Sequence, residues 1–476
     1  MQPNITKTDV MVIGGGVSGL SSAYKLHESG CKVLLLEKNN RLGGSIQTKN
    51  MDDFIIDCGP NSTLETSPQI RTFIEDLGLA DERIYANQQA KKRYILRGGK
   101  LEALPATPLA FIKSKLFSTR AKFRLLAEPF IAPAPEGKEE TVAEFVTRRL
   151  GREFLDYAIN PFIAGVYAGD PKKLCVRNAV AKVYALEKNY GSLIKGAVQG
   201  ARKRKKSGEV EKTKAELFSF KTGMSCLINR LSEKLGNAIL TDTEIKSIHK
   251  NENYYSVIIK TPRGEKTVET RAILFTTPAY ATAELLRGFS QPLAGTLREI
   301  RYPAVAMVFV GYKKQPDCRP LDGFGYLIPE VEKRNTLGVI WSSTIFPQRT
   351  PENGVALTTF VGGDRQPEIA LKDKDELLKI VQADLKGILN LNAKPDVVHI
   401  QQWKKAIPQY TIGHGKRMAE VERFEAQFPG LFISGNFRGG ISVGDCIVNS
   451  SATFKKIKTF ISEKPSESDA VSLNQD

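Results

Sequence analysis

The feature that most constrains this chain is a glycine-spaced turn, Gly14-Gly-Gly16-Val-Ser-Gly19, set between a short apolar run and a helical pattern. Residues 9–13 (Asp-Val-Met-Val-Ile) read as a buried strand. Residues 20–29 read as a helix stopped by Gly30, and residues 32–37 as a second strand. A helix that starts directly after such a turn offers unpaired N–H groups and a partial positive charge, which suits the pyrophosphate of a dinucleotide. Each glycine has its own task. Gly14 permits the tight turn, Gly16 lets the backbone approach the phosphates, and Gly19 lets helix and strand pack closely. Glu37 ends the second strand, where its carboxylate can accept hydrogen bonds from the ribose hydroxyls and would repel a 2′-phosphate. The turn alone is a weak signal; strand, helix and acidic residue together make it specific.

The rest of the chain narrows the classes available. A net charge of +17 points to an anionic partner, a carboxylate-bearing substrate or an acidic surface. The six cysteines are scattered with no CxxC pair, and none of the four histidines lies three or four residues from another, which argues against a zinc site, a dithiol redox centre or any other metal centre. No run of 18 or more apolar residues and no secretory pattern is visible, so contact with a membrane would be peripheral. The basic run Arg202–Lys206 opens a polar stretch to Glu216 that reads as an exposed, mobile insertion. It has no accompanying nucleic-acid motif or aromatic interleaving, so nucleic acid is not an expected partner. Residues 111–130 mix apolar and basic positions at helical spacing, and a helix is expected from Val142 to Ile159. Residues 160–171 read as a loop of small residues, and residues 462–476 as a frayed tail.

A second glycine cluster lies near the end. Residues 431–446 read as a strand, a small-residue loop through Gly435, Asn436, Gly439 and Gly440, and a helix starting near Ser442 and Val443. A second helix start aimed at a bound ring system would stabilise negative charge developing there. Two such clusters imply one discontinuous domain closed from both parts of the chain.

The string Glu37-Lys-Asn-Asn-Arg41-Leu-Gly43-Gly44 resembles the FAD-dependent amine-oxidase-like superfamily. The resemblance implies that Arg41 lies near the pyrophosphate and that Gly43 and Gly44 let the backbone pass the flavin. It adds Val17, Ser18, Lys38 and Ile245 to the cofactor contacts, and Gly435, Asn436, Ser442 and Val443 on the flavin side. The later loop lacks the cysteine used for covalent attachment, so non-covalent FAD is expected. Residues 93–101 (Arg-Tyr-Ile-Leu-Arg-Gly-Gly-Lys-Leu), residues 160–171 (Asn-Pro-Phe-Ile-Ala-Gly-Val-Tyr-Ala-Gly-Asp-Pro), Gly323-Phe-Gly325 with residues 359–363, and residues 435–444 resemble the protoporphyrinogen oxidase family over essentially the whole length.

That resemblance implies an α/β chain (α+β overall) of three parts. They are a discontinuous Rossmann-like FAD domain (1–88, 218–288 and 425–462), a helical membrane-associated insertion (89–217) and a mixed-sheet substrate domain (289–424). A flexible tail (463–476) follows. It implies removal of six electrons from protoporphyrinogen IX, with oxygen as acceptor. Arg93 would pair with a substrate propionate, although after Lys91 and Lys92 it also reads as a surface cation. Phe324 would stack on a pyrrole or serve in the core. Gly165 and Ala168 would bring backbone to the macrocycle, with a carbonyl guiding the reacting methylene. No side chain is assigned as acid or base, because positioning and exclusion of water carry such a reaction. Expected partners are the porphyrinogen, a membrane surface met without spanning it, a second copy of the chain, and ferrochelatase as recipient of the product. The place would be the cytoplasmic face of a bacterial membrane or the mitochondrial inner membrane. Coproporphyrinogen III, with four carboxylates, stays open as the substrate. So do an amine oxidase or carotenoid desaturase activity, and a non-catalytic carrier on the same fold.

Overall fold

The computed structural model describes residues 6–135, 137–207 and 215–463, with the backbone alone for 201–207. The glycine turn sits at the edge of a seven-stranded sheet. Its central strand, Thr6–Ile13, lies parallel to Val33–Leu36 on one side and to the second half of Gly264–Phe275 on the other. Strand Leu431–Ile433 adds in parallel to Gly264–Phe275, and Ile239–Leu240 to Val33–Leu36. The hairpin strands Tyr255–Thr261 and Glu244–Lys250 extend the sheet in antiparallel sense. Aliphatic runs make the parallel strands possible, since both faces are covered. Helices Val17–Glu28, Ser225–Leu235 and Val443–Ser462 close one face around Leu20, Leu231 and Ile447.

The other face is closed by helices Ala279–Leu286, Gln291–Arg298 and His414–Gln427, through Ala283, Leu297 and Phe424. This corrects the expected boundaries. The substrate domain, read as 289–424, keeps only its middle. Both flanking helices bury their apolar stripes on the first sheet, because that is where an uncovered apolar face remains.

The second sheet runs Val397–Trp403, Val305–Tyr312, Val355–Gly362, Thr336–Trp341, Gly325–Leu327, Arg93–Arg97, Lys100–Ala103. Helix Lys374–Leu389 covers one face, with Leu377, Val381 and Leu385 against Val308, Val310 and Leu357. The other face meets the first domain, where Met307, Phe309 and Ala356 pack on Phe54 and Ile56. The reading of 89–217 as helical is corrected at its start: residues 93–103 form a hairpin of this sheet, and Arg93–Arg97 pairs in parallel with Gly325–Leu327. At its end, Leu217–Phe220 pairs with Thr63–Leu64 and Arg83–Tyr85.

Between these limits the chain is helical: Pro108–Lys113, Thr119–Leu126, Val142–Leu150, Asn160–Tyr167, Ala181–Tyr190 and Leu193–Ser207. Two expectations change here. The helix expected to run to Ile159 breaks at Gly151, whose φ of 91° ends it. The stretch read as a loop from Asn160 is a helix, because Pro161 sits in its first turn, where no N–H is needed. The basic run Arg202–Lys206 lies on the helix Leu193–Ser207, while residues 208–214 and the tail beyond 463 lie outside the described residues. Among the described residues no helix is long and apolar enough to cross a membrane.

Candidate cofactor and substrate site

The three glycines of the turn are constrained differently. Gly14 has a φ of 110°, and a Cβ there would press on Thr276 Oγ1 at 2.9 Å. A Cβ on Gly19 would be driven into the Gly14 carbonyl. A Cβ on Gly16 would meet nothing within 4 Å. Gly16 is also the N-cap of helix Val17–Glu28 and provides no capping side chain, so the N–H groups of Val17, Ser18 and Gly19 face an open cradle. That cradle fits a pyrophosphate. Thr276 closes its back by donating to the carbonyls of Ile13 and Gly14 at 2.9 and 3.0 Å.

The second loop packs against this turn. Gly43 donates to the Gly15 carbonyl at 2.8 Å, and a Cβ on Gly44 would lie 3.5 Å from the Gly16 Cα. Arg41 donates to the carbonyls of Leu42 (3.2 Å) and Gly44 (2.8 Å), holding the loop's curvature. The Glu37 carboxylate receives the Gly15 N–H at 2.8 Å and the Asn39 N–H at 2.9 Å. The Lys38 side chain points away, 76% exposed, and pairs with Glu244 at 3.7 Å. Ile245 is partly buried on the neighbouring strand, whose approach is tied to Glu37 by Thr243 N–H to the Glu37 carbonyl at 3.0 Å.

The late glycine loop is joined to this assembly at Ser434, whose N–H donates to the Phe275 carbonyl at 2.8 Å. Ser442 caps helix Val443–Ser462 through a reciprocal pair with Asp445, and Val443 enters the core beside the first helix. Ser18 of the first helix hydrogen-bonds the thiol of Cys446, which burial pushes up to about 11. Tyr410, which the sequence reading did not single out, braces the loop. Its hydroxyl donates to the Asn436 carbonyl at 2.7 Å and accepts the Gly440 N–H at 3.0 Å. His414 stacks on Tyr410, with ring centroids 4.2 Å apart and planes 14° apart, and hydrogen-bonds the Phe437 backbone. Burial pulls its imidazole down to about 4.

On the second sheet, Arg93 and Phe324 come together. The guanidinium of the exposed Arg93 lies 5.2 Å from the Phe324 ring centroid, and Phe324 packs with Ile340, Ile345 and Phe346. Ile345 and Phe346 also line a small cleft between the second sheet and strand Phe54–Asp57, with Asp57, Asn61, Phe309, Arg349 and Thr358. Helix Asn160–Tyr167 lies across the same sheet. Gly165 permits that contact, since a Cβ there would meet Leu327 Cδ2 at 2.6 Å. Ala168 ends the helix in the left-handed region at φ 48°. Its carbonyl accepts the Asp364 N–H at 2.7 Å. Beside it, the buried Asp364 carboxylate is shared by Arg301 at 2.6 Å and Lys173 at 3.0 Å.

The sequence reading also missed the buried pair Asp57–Arg349, at 2.7 Å, which ties strand Phe54–Asp57 to the helical turn Pro347–Arg349 next to the cleft. Thr48 Oγ1 and the Met224 N–H complete the Asp57 shell at 2.6 and 2.9 Å, and Arg349 donates to Ser219 at 2.6 Å. Only the tertiary fold brings these residues together.

Comparison with known proteins places the chain in a family. The family profile of flavin containing amine oxidoreductases matches residues 17–448. "Protoporphyrinogen oxidase 2, chloroplastic/mitochondrial" of Arabidopsis thaliana is 34% identical over 466 residues, covering 92% of each chain. "Coproporphyrinogen III oxidase" of Bacillus subtilis (strain 168) is 27% identical, covering 96% of this chain and 99% of its own. A crystal structure from Exiguobacterium sp. 255-15 shares the fold with a TM-score of 0.80 at 23% identity, over 95% of this chain and 99% of its own. With two glycine loops converging on one cradle, and with matches that run nearly end to end, this chain belongs to the flavin containing amine oxidoreductases, in the branch of the protoporphyrinogen oxidases.

Proposed function

We propose that the protein is an FAD-dependent oxidase that converts protoporphyrinogen IX to protoporphyrin IX, in three two-electron steps with oxygen as final acceptor. Bound FAD supplies the electron acceptor for each step. The observation that carries the substrate reading is the pairing of the Arg93 guanidinium with the Phe324 ring, 5.2 Å apart, on the sheet that helix Asn160–Tyr167 packs across. A porphyrinogen is an apolar macrocycle with carboxylates along one edge. A guanidinium beside an aromatic ring matches that edge. Gly14, Gly16, Gly19, Val17 and Ser18 hold the pyrophosphate, and Glu37 the ribose. Arg41, Gly43, Gly44, Gly435 and Asn436 shape the flavin end. The chain's part is to bind, orient and exclude water.

The deciding experiment is oxidation of protoporphyrinogen IX by the purified, flavin-loaded protein, followed by porphyrin fluorescence. Turnover is expected, and Arg93→Ala should raise KM at least about tenfold, the cost of a charged hydrogen bond. A colourless protein, or an unchanged KM in Arg93→Ala, would overturn the respective assignment. Coproporphyrinogen III is the second reading. It is supported by the relative of that name from Bacillus subtilis (strain 168), 27% identical over 96% of this chain. A higher kcat/KM for coproporphyrinogen III would make it the substrate.

Membrane contact belongs to the same proposal. Leu109, Ile112, Phe123, Leu126 and Phe130 are 63–88% exposed on consecutive short helices, and Lys113, Lys115 and Arg120 are exposed among them. Such a surface seats in the interface of an anionic bilayer without spanning it. A membrane face, organellar or bacterial, is the location that follows, with a second copy of the chain and ferrochelatase as candidate partners there.

A further inference from the structure

The loop from Gly435 to Gly440 lies against the phosphate cradle. A Cβ on Gly435 would stand 3.7 Å from the carbonyl of Thr276, the residue whose hydroxyl closes the back of that cradle. Three glycines of the loop, Gly435, Gly439 and Gly440, have φ of 137°, 84° and 134°, a region that most side chains avoid. Two bonds hold its tip: the Arg438 N–H on the Gly435 carbonyl at 3.0 Å, and Asn449 Nδ2 on the Arg438 carbonyl at 3.1 Å. The peptides on either side are set from another part of the chain. Tyr410 is 3% exposed, and both partners of its hydroxyl belong to this loop, the Asn436 carbonyl and the Gly440 N–H. His414, stacked on the Tyr410 ring, hydrogen-bonds the Phe437 backbone in the sense that favours the protonated imidazole, so the ring donates and the Phe437 carbonyl accepts. The pair is itself anchored. The Tyr410 carbonyl accepts the Cys175 N–H at 2.8 Å, and the neighbouring Gln409 donates from its side chain to the Tyr167 carbonyl at 2.8 Å and from its N–H to the Arg301 carbonyl at 2.9 Å.

Two phenylalanines would fill the same space without burying polar atoms, and His414 Nδ1 is buried without a partner among the described residues. What the polar pair supplies is control over peptide planes. Every peptide here is trans, so each C=O and the N–H that follows it point in opposite directions. With the Asn436 carbonyl turned to Tyr410, the Phe437 N–H is turned away from it, and among the described residues nothing accepts that N–H. With the Gly440 N–H turned to Tyr410, the Gly439 carbonyl is turned away in the same manner. One side of the loop is thus taken up by Tyr410 and His414. The other side presents an unpaired donor shortly before helix Val443–Ser462 begins. A donor held in place stabilises negative charge that develops on a neighbouring ring, with no reorganisation at the moment of reduction.

We propose that Tyr410, with His414 stacked on it, is a positioning residue for the flavin: it fixes the peptide planes of residues 436–440 and so sets how much more tightly reduced than oxidised flavin is held. The inference rests on the reading that this loop meets the flavin. It is tested on full-length, flavin-loaded wild type, Tyr410→Phe, His414→Phe and Asn436→Leu. The midpoint potential comes from reductive titration against a reference dye, flavin retention from dilution and filtration, and Tm from thermal unfolding. Tyr410→Phe keeps the ring and loses only the hydroxyl. It should lower the preference for reduced flavin about tenfold, a drop of about 30 mV for a two-electron couple, and weaken flavin retention. His414→Phe should move both readouts in the same direction by less. Wild-type potential and retention in Tyr410→Phe would overturn the proposal even if Tm falls, since a merely structural brace moves Tm and not the potential. Asn436→Leu tests the underlying reading. If it changes neither potential nor retention, the loop is not at the flavin, and the reading falls with the inference. A change in Asn436→Leu beside wild-type values in Tyr410→Phe leaves the reading standing and removes Tyr410 from it. If Tyr410→Phe does not fold, His414→Phe decides by the same two readouts.

Discussion

At the scale of single residues, absence of a side chain has opposite consequences at neighbouring positions. Gly16 faces open space, so Gly16→Val should leave folding intact and fill the phosphate cradle. Gly19 abuts the Gly14 carbonyl, so Gly19→Ala must move backbone and should destabilise the fold itself. Thermal unfolding and flavin absorbance of the two variants separate these effects: normal unfolding without yellow colour for the first, a lowered Tm for the second. His414 gives a pH prediction at the same scale. Its imidazole is held at about 4 against an ordinary 6.5. The unfolded chain therefore binds a proton across that window and the folded chain does not. Stability from this group is complete above 6.5 and falls as pH drops toward 4, by roughly 3 kcal/mol in all. Urea unfolding at pH 5 and pH 7 should show a smaller difference in His414→Gln than in wild type.

At the scale of elements, what was legible followed locality. The βαβ unit around Gly14–Gly19 and the strand–loop–helix around Gly435–Gly440 were readable because turn chemistry, periodicity and capping all act within a few residues. The helix Asn160–Tyr167 was not, because Pro161, Ala164 and Gly165 are also loop formers. They are helical here because the chain is gripped at both ends by the turn Gly363–Arg365, which lies far off in sequence. The hairpin at residues 93–103 was hidden for a similar reason, since its partner strand lies more than two hundred residues away. Arg93 could be named as a ligand from sequence, but its contact with Phe324 depends on that parallel pairing. The exposed helices Pro108–Lys113 and Thr119–Leu126 carry their own prediction. Replacing Ile112, Phe123 and Phe130 together by Asp should abolish co-sedimentation with phosphatidylglycerol vesicles and leave Tm unchanged, because these side chains are exposed. Equal sedimentation of variant and wild type would remove that surface from the membrane.

At the scale of the whole molecule, the buried pair Asp57–Arg349 ties strand Phe54–Asp57 to the helical turn Pro347–Arg349 beside the cleft. Arg349→Met should cost about 3–5 kcal/mol by stranding the Asp57 carboxylate. Asp57→Asn/Arg349→Met should recover part of that loss, measured by urea unfolding. The first sheet has a different kind of dependence. Strand Leu431–Ile433 slots against Gly264–Phe275, helix Val443–Ser462 packs on the first helix, and Lys458 Nζ reaches the Ser29 carbonyl at 3.0 Å. A segment that leaves the ribosome early is thus a half-site that waits for one about four hundred residues further along the chain. Flavin capture during synthesis is excluded until residue 440 or so has emerged, and a nascent chain arrested earlier would be released colourless, with the apolar side of its first helix uncovered.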